Sequence, residues 1–353
     1  MRVALVNNFH PFTGIGKYAF NLHARLRTMG YPVEMLYLES KENRIEEIEG
    51  GRKLVQGLNL PLFNKTFSWY SYFPPRIPGG YDLYHASSHY LLRVAKYRKP
   101  TVVTHMDLAP LLYPQDYPYL LRKALERSLK DYGEAERIIA ISQGSKEELV
   151  ASGYADEDKV TVIHPGYDET LYRPIPRGEA RAALGLDQGE TIILHVGSEE
   201  RRKNVPTLLK ALRLLKGDPL LVRVGTRSPE CAPLEKGLKV LHFSGVEEGR
   251  MPFFYSAADL FVFPSTYEGN FAYPPLEAMA CGVPTILTEG VRLFSKGCYF
   301  YTPPESPEAL AAGMEAVLRE RERYAAMALE EAKGYTLGEE AVKTMALYRE
   351  VLG

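Results

Sequence analysis

The sequence predicts an α/β fold of two parallel-sheet domains in series, and three observations carry the prediction. Apolar runs of strand type alternate with segments of helical periodicity up to Gly166, and the same alternation begins again near Thr191. The chain has 353 residues, a length typical of two domains that each bury a core. The stretch Tyr172–Arg177, rich in proline and arginine, lies between the two series and is interpreted as the linker.

The predicted elements follow in order along the chain. In the first series we predict strands at Val3–Val6, at Val33–Leu38 and in YDLYHAS, PTVVTHM, RIIAIS and VTVIHPG, with helices over Lys17–Met29, around Tyr119–Tyr132 and from Gly144. In the second we predict strands in TIILHVGS, LLVRVG, KVLHFSG, DLFVFPS and VPTILT, with helices over Val205–Leu215, Pro252–Ala258 and Leu276–Ala280. Residues 42–57 and the aromatic run at 61–75 fit neither pattern and are predicted to be loops or insertions.

Two open sheets in series predict a cleft between the domains, facing the carboxyl ends of both sheets. We assign residues 1–172 to the first domain and residues 173–335 to the second. Residues 336–353 hold an amphipathic helix, Gly338–Leu352, which follows the completed second domain.

Composition and charge exclude several classes of function. The net charge is -1, so no strong field would hold the protein on nucleic acid. The 3 cysteines lack metal-type spacing, which favours a reducing, cytoplasmic compartment. We expect no secretory leader, because Met1-Arg2 runs straight into the strand-like VALVNN. We also expect no membrane-spanning helix, because no apolar run approaches the roughly 20 residues that a bilayer requires.

The segment FPSTYEGNFAYPPLEAMACGVPTIL contains the sharpest candidate site. Glu268 follows a strand end, a loop comes next, and a helix begins near Leu276 with Glu277 in its first turn. The amides of Phe271, Ala272 and Tyr273 precede that turn, and amides at a helix start together with the helix dipole bind anions. Carboxylates beside an anion site suit a ligand that carries both hydroxyl and phosphate groups.

A cationic turn follows the strand TIILHVGS. Arg202 and Lys203 lie there, at the mouth of the second sheet, where fixed cations would stabilise a leaving group that gains negative charge. The neighbouring Glu199, Glu200 and Arg201 are interpreted as surface residues.

The loop Gly14-Ile15-Gly16 precedes the first helix, and glycine there would let backbone approach a phosphate closely. An ordinary turn and one half of a dinucleotide fingerprint, with Glu39 as the ribose acid, remain alternatives.

The segment EGNFAYPPLEAMACGVPTI resembles the signature of the family-4 retaining glycosyltransferases, and mannosyltransferases among them. VGSEERRKNVPTLLKAL resembles the family's phosphate-binding segment and FSGVEEGRMPFFYSAADLFVFPS its base-binding region. The resemblance implies a GT-B fold, in which two Rossmann-like domains face each other across a cleft and the last helix crosses back to the first domain. It also implies that the first domain binds the acceptor and the second the nucleotide sugar.

The resemblance assigns roles to individual residues. Glu277 would bind the ribose and the backbone near Val246 the base, whereas Arg202, Lys203 and the amide of Gly16 would hold the diphosphate. Glu268 and the amides of Phe271 and Ala272 would orient the donor sugar, with no metal and no further cofactor.

Two departures from the family pattern affect these roles. The family has His and Asp together at a strand end, with the His near the donor sugar, but here Met106 separates His105 from Asp107. A packed histidine is the alternative for His105. Eight residues separate Glu268 from Glu277 where the family has seven, and Asn270 is interpreted as the extra residue.

His85 and His89 lie four residues apart without an intervening Glu, a pattern that does not predict a metal site.

The predicted function is transfer of a hexose from a GDP-, UDP- or ADP-sugar to a saccharide or lipid-linked acceptor, with retention of configuration. We favour GDP-mannose over UDP-glucose, because the R-R-K-N segment resembles mannosyltransferases. A sugar-nucleotide epimerase of similar shape and a nicotinamide-dependent oxidoreductase remain alternatives.

In relatives a basic, apolar flank such as 93–99 and 120–130 rests on anionic membrane at the inner face. A soluble face with balanced ion pairs is the other interpretation.

Overall fold

A computed structural model describes residues 1–38, 49–54, 76–227, 229–268, 271–291, 294, 297–301 and 303–353. The chain forms two compact units, one of Met1–Gly166 with Leu337–Gly353 and one of Tyr167–Thr336. The predicted boundary after residue 172 lies a few residues beyond the end of the first unit at Gly166. Among the helices that the structure describes, none has the length and apolar character needed to cross a membrane.

The first unit is built on a parallel sheet. Within its described residues the sheet has 7 strands in the order β3-β2-β1-β4-β5-β6-β7. They are β1 Val3–Asn7, β2 Val33–Leu38, β3 Gly51–Leu54, β4 Leu83–Ala86, β5 Thr101–His105, β6 Arg137–Ala140 and β7 Val160–Val162. The chain fills the sheet in one direction from β1 to β3 and in the other from β4 to β7. The strand order therefore reverses between β1 and β4, and in open α/β sheets such a reversal marks the ligand site.

Helices connect these strands. They are α1 Gly14–Thr28, α2 Arg93–Tyr97, α3 Ala109–Leu112, α4 Tyr119–Leu129 and α5 Gln143–Ala151. The last helix of the chain, Leu337–Leu352, belongs to the same unit and is called the C-terminal helix. Its Tyr348 hydroxyl lies 2.6 Å from His85 Nδ1, and its buried Glu340 accepts a hydrogen bond of 2.6 Å from the Gly166 amide. Burial raises the pKa of Glu340 to about 8.

The second unit repeats the plan. Its described residues form a parallel sheet of 6 strands in the order β10-β9-β8-β11-β12-β13, so the order reverses between β8 and β11. The strands are β8 Ile192–Val196, β9 Leu220–Val224, β10 Lys239–Phe243, β11 Leu260–Phe263, β12 Thr285–Thr288 and β13 Cys298–Tyr301. The helices are α6 Arg177–Leu184, α7 Val205–Leu212, α8 Ala232–Glu235, α9 Met251–Ala257, α10 Tyr273–Ala280, α11 Pro307–Arg319 and α12 Arg321–Ala332.

Both faces of the second sheet are covered. Leu194 and Phe261 belong to one apolar cluster, whereas their neighbours Ile193 and Val262 belong to another on the opposite face. Successive side chains of a strand point to opposite faces, so these strands read as continuous apolar runs. That burial on both faces is the reason why the α/β fold class was predictable, and the structure confirms it.

Several local predictions were wrong. Gly51–Leu54 is a strand rather than a loop, while residues 42–48 and 55–57 and the aromatic run at 61–75 lie outside the described residues. The predicted loop up to Gly16 ends earlier, because α1 begins at Gly14 with Thr13 as its N-cap. The strand Cys298–Tyr301 was not predicted.

Candidate functional site

Two turns of the second unit meet at the carboxyl ends of β8 and β11. Arg202 and Lys203 lie in a 3₁₀ turn, Arg201–Lys203, that follows β8, whereas Glu268 follows β11. Arg202 Nη1 donates to Glu268 Oε2 at 2.9 Å, and Lys203 Nζ donates to Glu268 Oε1 at 2.6 Å. The Thr266 amide also donates to the Arg202 carbonyl at 2.8 Å, which ties the two turns together. The structure thus brings three predicted site residues together where the strand order reverses.

The three charged groups differ in burial. Glu268 is 6% exposed and the Lys203 side chain 12%, whereas the Arg202 side chain is 36% exposed and also donates to Glu200 at 3.0 Å. Burial lowers the pKa of Lys203, and the Glu268 carboxylate opposes this shift. The buried pair of Glu268 and Lys203 therefore interacts strongly, whereas the exposed part of Arg202 is the cation that a ligand anion can reach.

Asn204 fixes the direction of the cationic turn, a role that the sequence analysis missed. Its φ is 53°, in the left-handed region where Asn is tolerated better than most residues. Its Nδ2 donates to the carbonyls of Pro264, at 3.1 Å, and Pro304, at 2.7 Å. The side chain therefore ties the residue after Lys203 to the end of β11. An Asn directly before a helix was the available signal.

His195 lies behind the cationic turn and was also missed. It is 0% exposed and its ring stacks on Phe263, while Lys203 Nζ lies 5.0 Å from the Phe263 ring centroid. Burial, followed by the charges of Arg223 and Lys203, holds the pKa of His195 well below its usual range. The imidazole is therefore neutral and adds no charge to the turn.

Two glycines, Gly197 after β8 and Gly225 after β9, allow their backbones to come into contact beside the cationic turn. Gly225 has φ 145°, and a Cβ built there would lie 2.0 Å from the Gly197 carbonyl oxygen. Only glycine permits this backbone contact.

Glu277 lies in α10 and faces the core of its unit. Because α10 begins at Tyr273, Glu277 is in the second turn, and its predicted place in the first turn was wrong. The residue is 4% exposed, and its Oε2 accepts a hydrogen bond of 2.7 Å from the buried Tyr255 hydroxyl. A carboxylate held in this way has a fixed orientation, which suits a hydrogen bond to a ligand hydroxyl.

The start of α10 offers less to an anion than the sequence suggested. Pro274 and Pro275 occupy the first turn and have no N–H, and the Phe271 amide donates to the Glu268 carbonyl at 2.9 Å. Ala272 and Tyr273 are 6% and 7% exposed. Of the three predicted amides, that of Phe271 is thus already bonded within the chain, whereas those of Ala272 and Tyr273 stay a prediction, and the cationic turn carries the anion argument. Gly269 and Asn270 lie outside the described residues.

Val246, the predicted base-binding position, follows β10 in the second unit. It is half-buried and packs against the apolar cluster that contains Phe254. Nearby, the Tyr172 hydroxyl donates to Glu248 Oε1 at 3.3 Å. The backbone at Val246 and the ring of Tyr172 are therefore groups near the end of β10 that could contact a base.

Glu199 is not the surface residue that was predicted. Its side chain is 1% exposed and pairs with the buried guanidinium of Arg223 from β9. Glu199, Glu235 and His242 have potential ligand atoms within 4.8 Å of one another. Arg223 and Arg227 both pair with carboxylates of this group, at Glu199 and Glu235 respectively, and Glu235 also bonds His242 at 2.7 Å. The group is an ion-pair network that supports the strand ends.

Two of the predicted residues of the first unit, His105 and Gly16, are buried, whereas Asp107 is partly buried and Gly14 is exposed. His105 is 0% exposed with Nδ1 at 2.6 Å from the Tyr132 hydroxyl, and Asp107 accepts from the Ala109 amide at 2.8 Å. Burial holds the pKa of His105 well below its usual range. The Gly16 amide donates to Thr13 Oγ1 at 3.0 Å, and a Cβ on Gly16 would lie 1.9 Å from the His10 carbonyl oxygen. Gly14 is exposed at the start of α1.

Family models match both halves of the chain. The model described as "Glycosyltransferase Family 4" matches residues 12–171, and the model described as "Glycosyl transferases group 1" matches residues 176–333. Together they run along most of the chain.

Curated relatives match part of the chain. A D-inositol 3-phosphate glycosyltransferase of Mycobacterium sp. (strain KMS) is 33% identical over 232 residues, which are 59% of this chain and 52% of that protein. A protein of the same name from Nocardia farcinica is 32% identical over 242 residues, 61% of this chain and 52% of the relative. The chain spans about half the length of the curated relatives it matches.

Solved structures match nearly the whole chain. Sucrose-phosphate synthase from Thermosynechococcus elongatus has a TM-score of 0.80 at 21% identity and covers 99% of both chains. Anabaena Alr3699/HepE in complex with UDP and glucose has a TM-score of 0.76 at 17% identity, covering 99% of this chain and 100% of that one. At such identities the likeness shows the fold.

Proposed function

From the premise that the chain belongs to the group 1 and family 4 glycosyltransferases and has their GT-B fold, we propose that it moves a hexose of the mannose or glucose type from a nucleotide diphosphate to an acceptor. The acceptor is a saccharide or a lipid-linked molecule. The observation that carries the proposal is the meeting of Arg202, Lys203 and Glu268 at the ends of β8 and β11.

The cationic turn holds the leaving diphosphate. As the bond between the sugar and phosphate breaks, negative charge builds on the phosphate oxygen, and fixed cations stabilise this state more than the ground state. Arg202 offers two parallel donors and Lys203 a point charge. The diphosphate takes over the cations from Glu268, and that carboxylate then accepts hydrogen bonds from hydroxyls of the donor sugar.

The remaining roles follow the family resemblance. Glu277 accepts from the ribose, the backbone near Val246 contacts the base, and the amide of Ala272 helps to orient the donor sugar. His105 and Asp107 belong to the first unit, to which the resemblance assigns the acceptor. Phe271 and Tyr273 border the donor.

We further propose that the reaction retains the anomeric configuration and needs no metal. The acceptor oxygen attacks on the face from which the diphosphate departs, through an oxocarbenium-like state. The bond from the anomeric carbon to phosphate breaks, the bond to the acceptor oxygen forms, and the acceptor proton passes to a phosphate oxygen. Full turnover in the presence of excess chelator supports metal independence, and abolition by chelator contradicts it.

Nucleotide binding is the direct test. A thermal-shift series with GDP, UDP, ADP and NAD, followed by donor hydrolysis with the matching nucleotide sugars, identifies the donor. We favour GDP-mannose, and UDP-glucose is the second candidate because of the UDP bound in the Anabaena structure. Stabilisation by NAD alone would contradict a transferase. Turnover of a nucleotide sugar with no acceptor and no release of sugar would indicate an epimerase.

Replacing Glu277 by alanine is expected to raise the donor KM by about tenfold to a hundredfold, because a charged hydrogen bond to the ribose is lost. The turnover number should change less, since this contact is remote from the bond that breaks. Steady-state kinetics with saturating acceptor measure both. Glu179→Ala, at an exposed position of α6, is the control. A donor KM equal to that of the control contradicts the ribose role.

We propose that α4 brings the enzyme to an anionic membrane. Tyr119 and Leu120 are 61% and 70% exposed, with Arg122 and Lys123 beside them. Ion pairs already engage several of the cations, since Arg93 pairs with Asp131 at 3.2 Å, Lys99 with Glu134 at 3.4 Å and Lys123 with Glu126 at 2.7 Å. The exposed Tyr119 and Leu120 therefore carry most of the proposal.

The membrane proposal predicts sedimentation with vesicles that contain phosphatidylglycerol. The double variant Leu120→Glu/Lys123→Glu is expected to lose at least about tenfold in vesicle partition, since it removes one apolar contact and reverses one charge. Leu214→Glu, at a position 50% exposed in the second unit, is the control. Equal partition of both variants contradicts the proposal.

A further inference from the structure

Within the described part of the chain, several buried polar atoms without a hydrogen-bond partner lie where the strand order of the first sheet reverses. Asn8 follows β1, and Ser88 and His89 follow β4, the two strands between which the strand order reverses. They are 4%, 0% and 0% exposed. Among the described residues, no atom bonds the Asn8 amide, Ser88 Oγ or His89 Nε2. Unsatisfied groups of this kind are costly, and their concentration at a ligand-binding position demands an explanation.

Neighbouring contacts hold these side chains side by side. The Ser87 hydroxyl donates to Asn7 Oδ1 at 3.1 Å, which joins the ends of β1 and β4. Tyr90 lies with its ring centroid 5.6 Å from that of Phe9 and 4.2 Å from that of His89. The residues that carry the unsatisfied groups are therefore fixed by partners on either side of them in the chain.

The tautomer of His89 follows from its hydrogen bond. The Met106 amide donates to His89 Nδ1 at 3.4 Å, so that nitrogen is an acceptor. Burial lowers the pKa of His89 to about 3, so the ring is neutral and its proton resides on Nε2. His89 thus presents one N–H donor, Ser88 a hydroxyl, and Asn8 both a donor and an acceptor.

We propose that Asn8, Ser88 and His89 bind hydroxyl groups of an uncharged, polyhydroxylated acceptor. This inference rests on the proposed function, since it names the acceptor chemistry of that reaction. The donors and acceptors are all neutral, and burial, followed by the charge of the nearby Asp107, raises the pKa of the Tyr90 phenol. An anionic acceptor group would therefore meet a carboxylate and no buried cation among these three side chains, whereas a sugar or cyclitol hydroxyl matches each of them.

Two adjacent serines provide the test. Ser87 is partnered and Ser88 is not, although both are 0% exposed. Ser88→Ala should keep or raise the thermal midpoint, because it removes an unpaired buried hydroxyl, and should weaken acceptor binding by about fivefold to tenfold. Ser87→Ala should instead lower the midpoint. If Ser88→Ala leaves acceptor affinity unchanged, the inference is wrong.

Binding is followed on full-length protein by the ring ¹⁵N signals of His89, with His85 as the internal control. The neutral probes are methyl α-D-mannopyranoside, methyl α-D-glucopyranoside and myo-inositol, and the charged probes are mannose 6-phosphate, glucose 6-phosphate and inositol 3-phosphate. We expect a neutral probe to shift His89 saturably and to bind more tightly than its phosphorylated counterpart. No shift with any probe, or tighter binding of the phosphorylated ones, overturns the inference. Nucleotide binding, measured separately, reports on the proposed function.

Discussion

Replacing Lys203 by alanine is expected to lower the turnover number by about 10²–10³-fold, and Arg202→Ala should have a smaller effect of the same kind. Lys203 is the more buried of the two, with 12% of its side chain exposed against 36% for Arg202, so its charge acts through less water. The donor KM should change less than the turnover number, because the cations act most strongly once the leaving group is charged.

Arg201→Ala is the matched control, since Arg201 is exposed in the same 3₁₀ turn. Circular dichroism checks that each variant is folded. Unchanged turnover in both Arg202→Ala and Lys203→Ala would remove the leaving-group argument.

Glu268→Gln tests whether the nucleotide diphosphate displaces the Glu268 carboxylate from Arg202 and Lys203. It should bind nucleoside diphosphate more tightly than the native protein, because a competing carboxylate is gone, and should turn over donor more slowly. Weaker binding of nucleoside diphosphate would mean that Glu268 does not compete for the cations.

The fold was predictable where strands are buried on both faces. The central strands β1 and β8 are nearly continuous apolar runs, VALVN and IILHV, and each was predicted. Both strands that the sequence analysis missed, β3 and β13, lie at sheet edges. In β3 the sequence is GRKL and two of its four residues are exposed, so its apolar signal is weak. Edge strands need fewer apolar residues, and their pattern resembles a loop.

The individual residues of the candidate site could be predicted from the sequence, but the ion pairs between them could not. Arg202, Lys203 and Glu268 were each selected from local motifs, yet the ion pairs between them span 66 and 65 residues. Their meeting depends on β8 and β11 being neighbours, and alternation of strands and helices does not determine strand order. The error at Glu199 has the same cause, because its partner Arg223 comes from the neighbouring strand β9.

The second large effect is expected on stability, at Asp259. This carboxylate is 8% exposed and accepts from Arg181, at 2.7 Å, from Arg321, at 3.1 Å, and from the Ile192 amide, at 2.8 Å. Arg181 is 1% exposed. Asp259→Asn keeps the volume but leaves the buried guanidinium without its counter-ion, so unfolding should become easier by about 3 kcal/mol. Chemical denaturation of the two proteins measures the difference.

The same variant separates stability from function. Asp259 lies at the amino end of β11, whereas Glu268 follows its carboxyl end, so the two lie at opposite edges of the sheet. Below its unfolding transition, Asp259→Asn should therefore bind nucleoside diphosphate with nearly native affinity. Asp218→Asn is the control, because Asp218 is 65% exposed and makes a pair of 3.4 Å with Lys239 at the surface, and it should unfold like the native protein. If Asp259→Asn is as stable as this control, the buried charge of Arg181 is compensated by other groups. The ion pairs of Asp259 with Arg181 and Arg321 would then not stabilise the sheet that presents the cationic turn.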